Sequence, residues 1–239
     1  MLNATIKSHD GKEFGAYLAR PRAPAVAGSA GQGAPTIVVI QEILGVNPGL
    51  RQMADGWAQM GFNAIVPDLF WRMEPGLELS DAVPEQKAKA FELYGKFDHQ
   101  NGIKDLISTL NYARKIEGSS GKAGCVGFCL GGNLAFQMAV HSDSDCNVSY
   151  YGGGIDKDMH KAGEVKKPLL IHLAGEDGYI DKAAQATILN AVKGNPLIEA
   201  HVYASVDHAF ARVNGMSFNK EAAEKANART AEFFKKHLG

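Results

Sequence analysis

Three residues far apart in the chain have the types that together cut acyl bonds: Cys129, Asp177 and His208. Cys129 lies in the run Gly127-Phe128-Cys129-Leu130-Gly131, between a short apolar segment and a stretch with Leu134, Met138 and Ala139 at helical spacing. A nucleophile with glycines two positions to either side, at a strand-to-helix turn, is forced into a strained backbone conformation and its side chain stands free. The glycines keep a Cβ out of that crowded turn. A thiol attacks a carbonyl only as thiolate, and a free cysteine with a pKa of about 8.5 is mostly protonated at neutral pH, so it needs a base. His208, in "DHAFARVN", supplies one. Asp177, in "AGEDGYI", would fix the ring's tautomer and stabilise the imidazolium; Glu176 competes for that role but precedes the turn by one residue. An acyl oxyanion needs backbone donors, which the N–H of Leu130 and, from the loop after "TIVVI", the N–H of Ile43 would provide. Cys125 and Cys146 lie inside strand-like runs and read as small buried apolar residues.

These residues need a scaffold, and the chain supplies β-type runs alternating with helix-like segments. "ATIKSHD" and "EFGAYLA", divided by "DGK", read as an opening hairpin. Then come "TIVVI", "NAIVPDL", "AGCVGF", "CNVSYYG", "PLLIHLAG" and "EAHVYAS" as candidate strands. Continuous apolar runs of this kind suit a mostly parallel sheet covered by helices on both faces, an α/β fold. In such a sheet functional groups gather just past the carboxyl ends of the strands, where Gln41 and Glu42, Cys129, Glu176 and Asp177, and Asp207 and His208 all fall. Nucleophile, acid and histidine in that order match the α/β-hydrolases. The expectation is one domain over residues 1–239, with the Ala, Gly and Pro stretch at 22–34 a flexible loop.

Composition narrows the function classes. A formal net charge of -1 gives no electrostatic case for nucleic acid or an anionic membrane surface. No apolar signal core opens the sequence and no window approaches a spanning run of about 18 apolar residues. Three cysteines suit a reducing compartment, so a cytoplasmic enzyme acting on a small molecule is expected. His99, His141, His160, His172 and His201 are scattered, no phosphate loop occurs, and the chemistry read here needs neither metal nor cofactor.

Taken together, "QEILGVN", "PDLF" with the following "PG", "GFCLGGNLAF", "YYGGG", "AGEDGYI" and "DHAFARVN" resemble the dienelactone hydrolase (carboxymethylenebutenolidase) family over nearly the whole chain. The resemblance implies a single-domain α/β-hydrolase that opens dienelactone, an unsaturated lactone bearing a carboxylate, to maleylacetate in the breakdown of substituted catechols. It carries the triad onto Cys129, Asp177 and His208. It implies that Glu42 holds the resting thiol and takes its proton when substrate binds. Arg212 matches a family arginine that binds the substrate carboxylate. Lys87 stands where a second arginine is found, keeping the charge but losing the planar two-pronged fit. Phe91 and Tyr94 stand where bacterial members resemble tyrosine and tryptophan. Arg72, beside Trp71, is a further candidate cation.

Two other classes compete with the lactonase. A general carboxylesterase or thioesterase would treat Arg212 and Lys87 as mere surface charges. A non-catalytic binding protein would have no physical need for three separated groups in one constellation. The oligomeric state leaves no trace in the sequence.

Overall fold

The computed structural model describes residues 1–21 and 33–239. The chain opens with an antiparallel hairpin, β1 (Ala4–Lys7) and β2 (Glu13–Ala19), whose turn places Gly11 at φ 84, a conformation glycine adopts without strain. β3 (Ala34–Ile40) and β4 (Asn63–Pro67) follow, then β5 (Ser119–Phe128), β6 (Asn147–Tyr150), β7 (Leu169–Ala174) and β8 (Ile198–Tyr203). They form one eight-stranded sheet in the order β1-β2-β4-β3-β5-β6-β7-β8. β2 pairs antiparallel with β4, and every pairing from β4 to β8 is parallel. Most of the stretch expected to be a loop, residues 22–32, lies outside the described residues; Ala34, placed in that loop by the sequence reading, already belongs to β3.

The central strands are covered on both faces, which is why they read as nearly unbroken apolar runs. Alternate residues point to opposite sides: Ile37 and Val39 of β3 join Val126 and Phe128 of β5 in one core, while Val38 and Ile40 join Ala123 and Cys125 in the other. The first core is closed by α1 (Pro48–Gln59) and α6 (Lys220–Leu238), where Trp57 meets Phe234 edge-on with ring centroids 5.4 Å apart. The second is closed by α3 (His99–Ala113) through Leu106 and Leu110, with Leu134 and Met138 of α4 (Leu130–His141). α1 begins where Asn47 accepts from Leu50 N and Pro48 supplies a preset φ, and α5 (Lys182–Val192) begins where Asp181 accepts from Ala184 N. α2 (Pro84–Lys96) is the least buried helix of the group, with Phe91 and Tyr94 41% and 39% exposed.

One topological feature fixes the site. From β3 the chain moves outward to β4, then returns past β3 to β5, so the strand order reverses between β3 and β5. A crevice opens at such a switch point beyond the carboxyl ends of the strands. The register there pairs Ile40 with Gly127, so Glu42 and Cys129, each two residues on, leave neighbouring strands side by side.

Candidate active site

Cys129 stands at the end of β5 as the N-cap of α4, with φ 55 and ψ -113. That is a left-handed φ for a residue with a side chain, a strain the neighbouring packing must hold in place. Gly127 and Gly131 show how tightly it is held: a Cβ on Gly127 would run into the backbone of Gly131, and one on Gly131 into the carbonyl of Ile40. Gly132 packs in the same way against the carbonyl of Tyr150. The turn is pinned on both sides, since Cys129 N donates to Tyr150 O at 3.1 Å and Asn133 N to Cys129 O at 3.1 Å. Cys129 thus sits at the N-terminal end of α4, and Leu130, first residue of that helix, has an N–H with no acceptor inside the helix.

Asp177 comes from the loop after β7 and His208 from the loop after β8. The loops are laced together by Glu176 N donating to Val206 O at 2.9 Å, and by Asp207 Oδ1 accepting from Gly178 N at 2.9 Å and His208 N at 2.6 Å. Asp177 Oδ1 accepts from Tyr179 N and Ile180 N, at 2.9 and 3.1 Å, which aims its carboxylate inward. His208 Nδ1 then meets both carboxylate oxygens at 3.0 Å. Burial alone would pull the ring's pKa down, but hydrogen bonds to Asp177 and to the Cys129 sulfur, with the charges behind them, push it up to about 10. Glu176, the competing acid, instead turns outward to Lys182 Nζ at 2.8 Å.

Cys129, His208, Ile43 and Leu130 open onto one cavity of about 300 Å³. Its far wall is α2, which contributes Lys87, Phe91 and Tyr94, and its rim carries Tyr179, whose ring lies 4.9 Å from His208 and 6.3 Å from Phe91. Lys87 is exposed on this wall. Burial, with a contribution from the charge at Cys129, pushes the Tyr94 phenol's pKa up.

The arrangement departs from expectation at Glu42. Its carboxylate, 7% exposed, is gripped by Arg212, with Nε 2.5 Å from Oε2 and Nη2 3.1 Å from Oε1, and not by the Cys129 thiol. Arg212 is itself shared, since Nη1 donates to Asp81 Oδ2 at 2.5 Å. Burial lowers the Arg212 pKa, but attraction to Glu42 outweighs it and the guanidinium is held charged more firmly than usual. Arg72 is also not where the sequence suggested: it is spent on Asp105 and Asp10, stacks 4.1 Å over Trp71, and does not line the cavity.

Sequence reasoning gave several residues no role of their own. Asp81 carries no motif, and only the folded loop before α2 brings it to Arg212. Tyr151 has φ 37, a ring 5.1 Å from His208, and a buried hydroxyl with no partner among the described residues; its only signal was the "YYGGG" run. Gln41 clasps the two strand ends, accepting from Leu69 N at 2.9 Å and donating to Glu42 O at 3.3 Å. Asp68, of "PDLF", accepts from Phe70 N and from Gly76 N of the following "PG", at 3.0 and 2.7 Å. Among the described residues no group of three or more His, Cys, Asp or Glu could hold a metal ion.

The family model for the dienelactone hydrolase family matches residues 14–238. The chain belongs to the dienelactone hydrolase family. It is 38% identical over 230 residues to the carboxymethylenebutenolidase of Pseudomonas putida, covering 96% of this chain and 94% of that one. An Azospirillum brasilense protein, provisionally assigned the same name, is 45% identical over the full length of both chains. Among solved structures, a provisionally assigned dienelactone hydrolase from Klebsiella pneumoniae superposes with a TM-score of 0.83 at 27% identity, covering 97% of this chain and 96% of that one. This dienelactone hydrolase family member is accordingly a carboxylic ester hydrolase of the lactonase kind with a single-domain α/β-hydrolase fold. No helix among its described residues is long and apolar enough to cross a membrane.

Proposed function

We propose that the enzyme opens a small unsaturated lactone bearing a carboxylate, dienelactone to maleylacetate in the breakdown of substituted catechols, through an acyl-thioester on Cys129. The observation that carries this reading is the placement of Cys129 against the Asp177–His208 pair in a cavity whose wall also holds Arg212 and Lys87. In the first step the Cys129 sulfur bonds to the lactone carbonyl carbon. The oxyanion rests on the N–H groups of Leu130 and Ile43, and the ring C–O bond breaks as His208 protonates the departing enol oxygen. In the second step His208 takes a proton from water, the hydroxide attacks the thioester, and the Cys129 sulfur leaves as thiolate and recovers from Glu42 the proton it gave up at the start, which restores the resting enzyme. Asp177 keeps the ring oriented through both.

Glu42 enters before the first step. While it is paired with Arg212 it has no call on the thiol; a substrate carboxylate that takes the Nη1 side of Arg212 draws the guanidinium away from Glu42, which then accepts the Cys129 proton. Substrate binding thereby switches the nucleophile on, which limits its alkylation and oxidation in between.

A general carboxylesterase or thioesterase on neutral esters is the second reading, favoured by one observation: Arg212 is already matched by two carboxylates. Steady-state rates on dienelactone and on phenyl acetate separate the two. The lactonase reading expects Arg212→Ala to lower kcat/KM for dienelactone by roughly one to two powers of ten while changing phenyl acetate far less, the size of one charged hydrogen bond. Equal losses on both substrates would sink it and leave the general esterase.

A further inference from the structure

The Arg212 guanidinium stands between two compartments. Its Nε and Nη2 face Glu42, which with Tyr151 lines a second, small pocket, while Nη1 faces Asp81, which lines the catalytic cavity. A ligand carboxylate arriving from the cavity approaches the outer edge of Arg212, and Asp81 Oδ2 already sits there at 2.5 Å.

The two carboxylates are not held alike. Glu42 binds in the two-pronged manner and is 7% exposed, whereas Asp81 makes its one side-chain hydrogen bond among the described residues through a single oxygen. The segment carrying Asp81 is anchored independently of it. Glu78 takes both ends of Arg51 at 2.6 and 3.1 Å, Leu79 N donates to Leu44 O at 2.9 Å, and Ser80 N donates to Gln86 Oε1 at 2.8 Å. The Asp81 side chain can therefore rotate off Arg212 without the loop coming away.

We infer that Asp81 is a built-in occupant of the anion position, a carboxylate of the chain itself that an anionic substrate must displace from Arg212 Nη1 and that sets how strongly the enzyme prefers anionic over neutral substrates. The inference rests on the proposed role of Arg212 as anion ligand. An internal competitor of this kind lowers the apparent affinity for every carboxylate by the fraction of time it leaves the position free. Being tethered, it acts at an effective concentration that free carboxylates reach only in the millimolar range. Neutral esters make no use of the outer edge of Arg212 and escape the competition. Asp81 is thus a specificity residue and takes no part in bond making.

The test compares wild type with Asp81→Asn, Asp81→Ser, Asp81→Glu and Arg212→Ala. The readouts are kcat/KM for dienelactone and for phenyl acetate, and inhibition of phenyl acetate hydrolysis by benzoate with benzyl alcohol as its neutral counterpart. Asp81→Asn and Asp81→Ser are expected to raise the dienelactone to phenyl acetate ratio roughly tenfold through KM, and to strengthen benzoate over benzyl alcohol by a similar factor, the size of one partly screened charged contact. Asp81→Glu should return both readouts toward wild type. If the ratio stays level or falls in both uncharged variants while Arg212→Ala still damages dienelactone selectively, Asp81 merely props Arg212 and the inference is overturned alone. Equal loss of both substrates in Arg212→Ala overturns the anion reading and this inference with it.

Discussion

His208 Nδ1 lies 3.0 Å from each carboxylate oxygen of Asp177, and the two side chains are 8% and 0% exposed. The carboxylate cannot swing away, because Oδ1 is also held by the N–H groups of Tyr179 and Ile180. Orientation of the imidazole is therefore built into two loops that the parallel pairing of β7 and β8 brings together.

Replacing Asp177 with asparagine tests that relationship with little change of shape. The asparagine oxygen can keep the two backbone donors, which leaves its NH2 facing His208 Nδ1 and forces the wrong tautomer. We expect kcat to fall by about 10³ to 10⁴ with the fold retained. Steady-state kinetics beside a thermal melt checks this; a loss of less than about tenfold would remove Asp177 from the orienting role.

A second expectation concerns pH. The His208 ring is raised from 6.5 to about 10 in the folded enzyme, so between those values the folded state holds a proton that the unfolded state has lost. The sign follows: the stabilisation is complete below about 6.5 and disappears as pH rises through about 10. Unfolding free energies of wild type and His208→Asn should differ most at and below about pH 6.5, by a few kcal/mol on the order-of-magnitude scale of linkage, and converge toward pH 10. Because the Cys129 sulfur is part of what raises the ring, Cys129→Ala should move its NMR titration to lower pH. A difference that stays flat from pH 7 to 10 contradicts both statements.

Thiol chemistry gives a third. Cys125 and Cys146 are fully buried, and burial pushes the Cys125 thiol up to about 12 and raises that of Cys146 as well. Cys129 alone of the three reaches the catalytic cavity. Iodoacetamide should label Cys129 in step with loss of activity, and saturating amounts of a substrate carboxylic acid should change that rate. Mass spectrometry finding inactivation matched to labelling at Cys125 or Cys146 would reject Cys129 as the nucleophile.

The sheet was legible in the sequence because its central parallel strands are buried on both faces, so the β3, β4 and β7 runs show as nearly continuous apolar residues, while β8, at the sheet's edge, is only half-buried and carries Glu199 and His201. The hairpin was legible because Gly11 marks its turn. Cys129, Asp177 and His208 were legible because each falls just beyond a strand end, where parallel topology gathers chemistry whatever the loops do. Glu42 was found for the same reason, but its partner was not. The Glu42–Arg212 pair spans 170 residues and the Arg212–Asp81 pair 131, and nothing local in the chain announces which carboxylate a distant guanidinium will reach. Arg72 failed as a cavity cation for the same physical reason, since the buried Asp105 claims it across 33 residues. Lys87 was read two ways, and the structure gives part of each: it lines the cavity wall and it is exposed there.

The Glu42–Arg212 pair can be weighed by a double-mutant cycle. Both side chains are mostly buried, at 9% and 16% exposure, so removing one partner strands the other's charge in a poor solvent. Glu42→Gln keeps the shape and one hydrogen-bond acceptor, leaving Arg212 with Asp81 as its sole carboxylate. Arg212→Gln leaves Glu42 buried beside the Tyr151 phenol, whose own pKa is driven up chiefly by burial and then by the Glu42 charge. Each single change should cost about 2 to 4 kcal/mol of unfolding free energy, near the cost of breaking a buried pair. The double variant should cost clearly less than the sum, with a coupling of about 1.5 kcal/mol or more, because neither charge is then left alone. Chemical denaturation of the four proteins measures it. Additive losses, with coupling below about 0.5 kcal/mol, would mean that the two groups meet without depending on each other. Glu42 would then already be free of Arg212 before any substrate arrives, and the release step assigned to it would have no barrier to overcome.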